Sequence, residues 1–279
     1  MYLSRLLLNP RNRDTMRWLA DCHQLHRVIM AGFPHVEAET ARQDLGVLFR
    51  VETPAPDGSV AVLVQSRAEP HWRLESRAAH TDPAVSLDGL LAGIAAGRRY
   101  RFRLRANPTR RVHHRATLGP DPRELDIHGN WKAPAEIPEN ERTGLVRRAH
   151  TEPPRAWHIR DDGKRIGKRV ELRREEERLL WLQRQGARCG FEIVTASLAP
   201  ALGETGPRPF AAARADPAPR LWGYQDHQLD RKLTFATALF EGELRVTEPV
   251  AFRAAIEEGI GPGKAFGCGL LSIASIQQM

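Results

Sequence analysis

The sequence has few cysteines and no long apolar run. Its three cysteines, Cys22, Cys189 and Cys268, lie far apart and form no C-x-x-C pair, which excludes a disulfide framework and a cysteine-based zinc module. Apolar clusters such as 6–8 and 90–96 are far shorter than the ~18 residues of a membrane span. The opening MYLSRLLLNPRN has too short an apolar core for a signal peptide. We therefore expect a cytoplasmic protein in a reducing compartment, without a membrane partner.

Length and charge set the next limits. A chain of 279 residues with 41% hydrophobic content is long enough for two domains with real cores, which excludes wholesale disorder. It carries 42 Lys and Arg against 34 Asp and Glu, a formal charge of +8, and its pI is near 10.0. This balance favours a polyanionic partner.

The positive charge is concentrated in two stretches. Eight arginines fall within residues 98–115 without an intervening acid, and residues 155–174 hold eight Lys and Arg against three acids. Along 100–105 apolar and basic residues alternate as in a strand, with Tyr100, Phe102 and Leu104 on one face and Arg101, Arg103 and Arg105 on the other. An ordinary solvated strand face is the alternative, but the lack of local acids favours phosphate binding.

The order of elements predicts an α+β fold. From residue 99 onward the patterns read strand, helix, strand, strand, helix, strand, and the first hundred residues begin in the same way. This is the βαββαβ plan, so we expect two tandem ferredoxin-like domains, 1–96 and 97–279. A helix is predicted over 15–33, a loop over 200–223, and a surface insertion over about 110–165, which is rich in Pro, Gly, His and charge. The sheet aromatics typical of RNA-recognition motifs are absent.

A glycine-rich segment, GIGPGKAFGCG at 259–269, precedes the last apolar strand. Its backbone amides, including those of Gly261 and Gly263, could face an anion, with Lys264 adding a point charge. It is not a Walker loop, because Ala265 follows the lysine and a helix precedes the segment. The alternative is a tight helix-to-strand turn in which glycine is needed sterically.

The first predicted helix contains two histidines in DCHQLHR, residues 21–27. His26 lies at the rim of an apolar arc and His23 lies outside it, the arc being formed by Trp18, Cys22, Leu25, Ile29 and Phe33. A half-buried structural histidine is one interpretation of His26, and a catalyst is the other. A His-x-x-His pair could also hold a metal, but no third ligand is evident nearby. The sequence therefore predicts neither a metal nor a cofactor.

Several motifs occur in an order that resembles a known family. They are MYLSRLLLNP at the start, LHR at 25–27, FRLRANPT at 102–109, GKRV at 167–170, LLWLQRQG at 179–186, LFEGELRV at 239–246 and GIGPGKAFGCGLLSIA at 259–274. Together they resemble the CasE family, the CRISPR RNA-processing endoribonucleases of type I-E systems. The resemblance spans both ends of the chain and is poor over 110–165.

The resemblance implies an activity, partners and a site. Members have two ferredoxin-like domains, cut CRISPR repeat stem-loops without a metal by 2′-OH attack, and stay bound to the product as a Cascade subunit. The implied partners are the repeat RNA and other Cascade subunits, with the chain a monomer when alone. The family's catalytic histidine falls on His26. Members often have a tyrosine three residues earlier, where this chain has His23, which either acts as a second acid or base or leaves His26 to work alone.

The resemblance also implies an RNA-binding surface. Lys168 and Arg169 match the family's basic segment and would clamp the stem together with Lys164, and the arginines at 101, 103 and 105 would extend this track. Arg27, Lys264 and the amides of the glycine-rich segment are candidate donors to the phosphorane. The rival interpretation is a basic RNA-binding scaffold without catalysis, in which His26 is only structural.

Overall fold

The computed structural model describes residues 1–34, 41–112, 158–159, 165–166, 168–198, 208–211, 213–224 and 232–276. They divide into two compact units, residues 1–108 with 172–279, and residues 109–171. Among the helices of these residues, none is long and apolar enough to cross a membrane. All three cysteines are free thiols.

The described elements run in chain order as follows. The strands are β1 (Tyr2–Leu8), β2 (Leu48–Val51), β3 (Val60–Ser66), β4 (Ala79–Thr81), β5 (Val85–Ser86), β6 (Arg99–Ala106), β7 (Thr109–Val112), β8 (His158–Ile159), β9 (Arg165–Ile166), β10 (Lys168–Glu171), β11 (Phe191–Ile193), β12 (Thr195–Leu198), β13 (Arg208–Ala211), β14 (Ala213–Tyr224), β15 (Lys232–Val246) and β16 (Leu271–Ser275). The helices are α1 (Arg13–Ala20), α2 (Cys22–Met30), α3 (Ala41–Asp44), α4 (Asp88–Ala92), α5 (Glu175–Arg188) and α6 (Pro249–Glu258), followed by a 3-10 turn (Lys264–Phe266).

Two antiparallel sheets form the first unit, and both have the same strand order. The N-terminal sheet is ordered β2-β3-β1-β4, with β5 also paired to β1, and the C-terminal sheet is ordered β11-β15-β6-β16, with β14 paired to β15. Along each path of four strands, the strand that comes first in the chain lies between the third and the fourth. The prediction of two tandem ferredoxin-like domains in an α+β fold is confirmed. The domain boundary at 96 and 97 stays a prediction.

Each sheet buries an apolar face of its own. In β1 the side chains of Leu6 and Leu8 are buried with Ile29 of α2. Burial in this strand falls on every second residue, Ser4, Leu6 and Leu8, as in a half-buried strand. In the C-terminal sheet Tyr100 and Leu104 of β6 are buried in the second core. The apolar half of the predicted alternation in 100–105 is therefore confirmed.

Three expectations about local structure are corrected. The helix predicted over 15–33 is two helices, because Asp21 takes an extended conformation (φ −130°, ψ 110°) and caps α2. Residues 213–223, expected in a loop, form most of β14, which pairs with β15 along nearly its whole length. The βαββαβ plan also predicts a helix between β3 and β4, but the described residues 67–78 there are irregular.

The second unit is described only in part. Within it β7 pairs with β10, where Lys168 lies opposite Val112, and β8 pairs with β9. Most of the predicted insertion at 110–165 lies outside the described residues.

A buried guanidinium joins the two sheets. Arg50 of β2 is only 2% exposed, and its Nη1 donates to the carbonyls of Arg103 and Leu270, 3.1 Å away in each case. Its Nε donates to Glu52 at 2.8 Å. A second tie is the 2.7 Å hydrogen bond from buried Gln65 Nε2 to the carbonyl of Ile256. The two sheets are thus joined by buried polar groups that are each satisfied.

Replacing Arg50 with Met is expected to lower the free energy of unfolding by about 3 kcal/mol, because the change leaves Glu52 and two carbonyls without their buried partner. Urea unfolding of the whole chain measures this. The control is Arg5→Met, which removes an exposed arginine of β1 from its ion pair with Asp82. This change should cost under about 1 kcal/mol. Equal losses in the two variants would contradict a special role for the buried guanidinium.

Candidate active site

The N-terminus of α2 is fixed by its cap. Asp21 Oδ1 accepts hydrogen bonds from the amides of His23, at 2.8 Å, and Gln24, at 3.3 Å. Below the cap Cys22, Leu25 and Ile29 are buried on one side of the helix. His26 is therefore half-buried at the rim of the apolar side, as the sequence predicts.

The two histidines share an aromatic neighbour from the other end of the chain. The ring centroids of His23 and His26 are 6.5 Å apart, and each lies 6.4 Å from the centroid of Phe266 in the 3-10 turn. Phe266 in turn stacks on Phe235 of β15 at 5.0 Å. The glycine-rich segment and the helix with the histidines are thereby brought together.

Burial controls the protonation of His26. It lowers the pKa of the imidazole from its ordinary value to about 4, with smaller contributions from the nearby His23 and Arg42. The Nδ1 atom is buried and finds no hydrogen-bond partner among the described residues. Packing therefore orients the ring, Nε2 is left as the nitrogen that can meet a ligand, and the ring is neutral near pH 7.

Glycine is needed sterically in the glycine-rich segment, which is one of the two interpretations that the sequence left open, and anion binding stays a prediction. Gly261 has a φ of 80°, and a Cβ there would lie 3.0 Å from the ring of Trp181, so glycine is needed for packing. Gly263, with a φ of 81°, begins the 3-10 turn that carries Lys264 and Phe266. The amide of Phe266 donates to Gly263, and the amide of Gly269 donates to Arg105. These two amides are used inside the protein, so an anion would meet others.

Two cations lie near the imidazoles. Lys264 is half-buried, and burial lowers the pKa of its ammonium group, with Arg42 as the next cause. Arg42 of α3 also acts on His26. The site therefore combines a neutral imidazole with groups that carry positive charge, which suits an anionic ligand.

The end of β14 packs closely against the N-terminus of α2. A Cβ on Gly223 of β14 would lie 2.6 Å from Asp21 Oδ1, 3.1 Å from Cys22 Sγ and 3.2 Å from the amide of His23. Only glycine allows this close approach of strand and helix cap. This strand segment is the part that the sequence assigns to a loop.

The arginine row of β6 is only partly on the surface. Arg105 is 8% exposed and donates to the carbonyl of Pro219 at 2.9 Å, so the expectation that it faces RNA is corrected. Arg103 is bound between Glu52 and Glu241, at 3.0 and 2.6 Å. Arg101 is exposed. The acids that pair with this row come from other strands, which the local sequence does not reveal.

The other predicted RNA-binding residues are placed unevenly. Arg27 of α2 and Arg169 of β10 are exposed. Lys168 lies in β10, its side chain outside the described part, and Lys164 lies outside the described residues altogether. The roles of all these residues stay predictions.

Four residues at this site are not predicted from the sequence: Arg42, Gly223, Phe235 and Phe266. Phe266 lies inside the glycine-rich segment, which is the one signal that points to it. Nothing in the local pattern marks the other three. Over the described ranges, no group of three or more His, Cys, Asp or Glu side chains is placed to hold a metal ion.

Comparison with known proteins gives a consistent result. A family model described as CRISPR associated protein matches residues 1–275. The CRISPR-associated endoribonuclease Cse3 of Thermus thermophilus is 30% identical over 276 residues, covering 98% of this chain and 100% of the relative. The Cascade subunit CasE of Escherichia coli K12 is 27% identical over 277 residues, covering 99% and 100%. A structure of Cse3 bound to a 19-nucleotide RNA has a TM-score of 0.64 at 27% identity, covering 98% and 100%.

Replacing Gly223 with Ala is expected to displace the Asp21 carboxylate and weaken the cap of α2, at a cost of about 1 kcal/mol or more. Thermal unfolding and the histidine resonances of α2 measure the effect. The control is Gly89→Ala, where an added Cβ meets nothing within 4 Å, so stability should stay equal or rise slightly. Unshifted histidine resonances in the Gly223 variant would contradict the contact.

In the protein without RNA, we expect His26 to titrate with a pKa of about 4. NMR of the imidazole carbons measures this, and His26→Gln identifies the signal. The unfolded chain takes up this proton near pH 6.5, whereas the folded chain takes it up only near 4. His26 therefore destabilises the fold as the pH drops through that window, and His26→Gln should remove this contribution. A midpoint at 6.5 or above would show that the ring is not desolvated.

Proposed function

We propose that this chain, which belongs to the family of CRISPR-associated proteins that includes Cse3 and CasE, is an endoribonuclease. It would cut CRISPR repeat RNA and stay bound to its product as a Cascade subunit. The names of both relatives support this, since each match covers the whole length of the relative and nearly all of this chain. The observation that carries the proposal is the meeting of His23, His26 and the Lys264 turn, which lie some 240 residues apart in the sequence.

The proposed reaction is a transesterification within the RNA. The 2′-oxygen attacks the adjacent phosphorus, the bond from phosphorus to the 5′-oxygen breaks, and a 2′,3′-cyclic phosphate and a 5′-OH result. One proton leaves the 2′-OH and one is delivered to the 5′-oxygen, so the overall proton count is unchanged. These are two proton transfers, each suited to an imidazole.

We assign His26 the role of general base. Burial holds its pKa near 4, so its ring is neutral near pH 7 and can accept the proton of the 2′-OH at Nε2. His23 lies 6.5 Å away, ring centre to ring centre, so one phosphate could lie beside both imidazoles. We assign His23 the return of a proton to the leaving 5′-oxygen.

Cations around the rings would bind the phosphates. Lys264 lies next to Phe266 in the turn that touches both imidazoles, and it would meet the negative charge that develops on the phosphorane. Exposed Arg27, Arg101 and Arg169, with Lys168, would grip the stem by its phosphates and A-form shape. A cytoplasmic location belongs to the same proposal, in keeping with three free thiols.

A basic scaffold without catalysis is the rival function. It would use the same positive charge and the same partners, and it would need no particular protonation state at His26. The low pKa and the convergence of two imidazoles with a lysine favour the enzyme, because perturbed groups gathered in one place are typical of catalytic sites.

Incubation with a repeat hairpin in EDTA tests the proposal. Wild-type protein should cut the RNA, leaving a 2′,3′-cyclic phosphate and a 5′-OH, and His26→Ala should cut at least about 10²-fold more slowly because it removes the general base. Binding of a hairpin with a 2′-deoxy substitution at the cleavage site should be nearly unchanged. The control is His80→Ala, at a 74% exposed side chain on β4. Uncut RNA that the wild-type protein nevertheless binds would support the scaffold.

The role of His23 is tested in the same assay by the pH profile. His23→Phe should lose the alkaline limb that a general acid produces, whereas His23→Tyr should keep cutting and move that limb upward, because a phenol titrates near 10. A wild-type rate and profile in the Phe variant would mean that His26 works alone.

A further inference from the structure

Arg42 belongs to no motif in the sequence, and the fold brings it to the site. It belongs to α3, a single turn that leads into β2. Its Nη1 donates to the carbonyl of Val47 at 3.1 Å, and the amide of Val47 donates back to the carbonyl of Arg42 at 2.9 Å. The long side chain is thus half-buried and held at both ends, which lowers the entropy that a contact with a ligand would cost.

The guanidinium lies within electrostatic reach of two groups already assigned to the site. After burial, its positive charge is the next contribution that lowers the pKa of Lys264, and it also lowers the pKa of His26. His26 comes from α2 and Lys264 from the glycine-rich segment, so Arg42 acts on both sides of the site. The segment also packs on β2, since a Cβ at Gly267 would lie 3.1 Å from the ring of Phe49.

Among the described residues, positive charge is concentrated at this edge of the site. Arg42 and Lys264 repel each other, and within the described part of the chain neither forms an ion pair with a carboxylate. Glu258 acts on Lys264 from a distance and offsets part of the repulsion. Two cations at the edge of a neutral imidazole are stabilised by a bound phosphate more than by any neutral ligand.

We propose that Arg42 is a further catalytic residue, whose guanidinium, anchored on the Val47 carbonyl just before the strand on which the glycine-rich segment packs, binds a non-bridging oxygen of the scissile phosphate and stabilises the charge that develops there. The inference rests on the endoribonuclease function. A guanidinium suits the task because its planar fork binds phosphate oxygens directionally and keeps its charge at every working pH. Its donors are in place before the RNA arrives, so no reorganisation is needed during the reaction.

Single-turnover cleavage of hairpins with one sulfur at a non-bridging position of the scissile phosphate tests this contact. Sulfur is a poor acceptor for a guanidinium, so the wild-type protein should cut one diastereomer more slowly than the oxygen substrate. Arg42→Gln should cut the oxygen substrate about 10²-fold more slowly and lose most of that sulfur effect. Its Kd for the uncleavable 2′-deoxy hairpin should rise by no more than about tenfold, as expected for one hydrogen bond to a charged group.

A second readout needs no RNA. Removing the cation should raise the pKa of His26 in the free Arg42→Gln protein, and NMR measures this shift. Arg42→Lys keeps the charge and should leave that pKa lowered, so it serves where the Gln variant folds poorly. The control is Arg67→Gln, because Arg67 donates to the carbonyls of Gln43 and Asp44 in the same turn, at 3.3 Å each, and its charge is not among those acting on His26 or Lys264.

The outcomes separate this inference from the proposed function. If the wild-type protein cuts no hairpin, the endoribonuclease function fails and the role of Arg42 with it. If the wild-type and Arg67→Gln proteins cut, and Arg42→Gln cuts equally fast or keeps the full sulfur effect, the role of Arg42 alone is overturned. Slow cutting by Arg42→Gln without a sulfur effect, together with a raised pKa of His26 in that variant, supports the role of Arg42.

Discussion

The fold depends on one buried charge, the guanidinium of Arg50. It reaches from β2 of the N-terminal sheet to the carbonyls of Arg103 in β6 and Leu270 just before β16, and Glu52 neutralises it. A charge that is 2% exposed would be very costly without these partners. The glycine-rich segment ends beside it, where the amide of Gly269 donates to β6. Joining the sheets in this way also fixes the turn that carries Lys264 and Phe266 against α2.

The candidate site is assembled from short pieces that are distant in sequence and supported by packing. Phe266 contacts both imidazoles, Phe235 stacks behind it, and Gly223 lets β14 approach the cap of α2. Because the His26 ring is oriented by packing, with no hydrogen-bond partner for its Nδ1 among the described residues, its position depends on the whole arrangement. Desolvation keeps His26 neutral, while neighbouring cations prepare the site for an anion. The same packing thus sets both the geometry and the protonation state that acid–base chemistry requires.

The positive charge of the chain has two uses. Some of it is structural: Arg50 and Arg105 are buried, and Arg103 is held between two glutamates. Other cations remain exposed, among them Arg27, Arg101 and Arg169. A formal charge of +8 therefore indicates the chemical class of the partner, a polyanion. It does not indicate which arginines would contact that partner. Partners in the fold decide this, because a carboxylate from another strand can neutralise a charge that no local acid neutralises.

The sequence by itself determined the α+β class, the two ferredoxin-like sheets, the family and the pair of histidines, because these follow from local periodicity and from motifs that lie in order along the chain. It also predicted the alternation of residues 100–105, which lies within β6. It missed the break at Asp21 and the strand β14, since a cap and a strand pairing depend on neighbours outside the local window. Only the tertiary structure decided that Arg105 is buried, that Phe266 meets both imidazoles and that Arg42 lies near His26 and Lys264. These are contacts between residues distant in the chain, and hydrophobicity and charge patterns do not encode such distances.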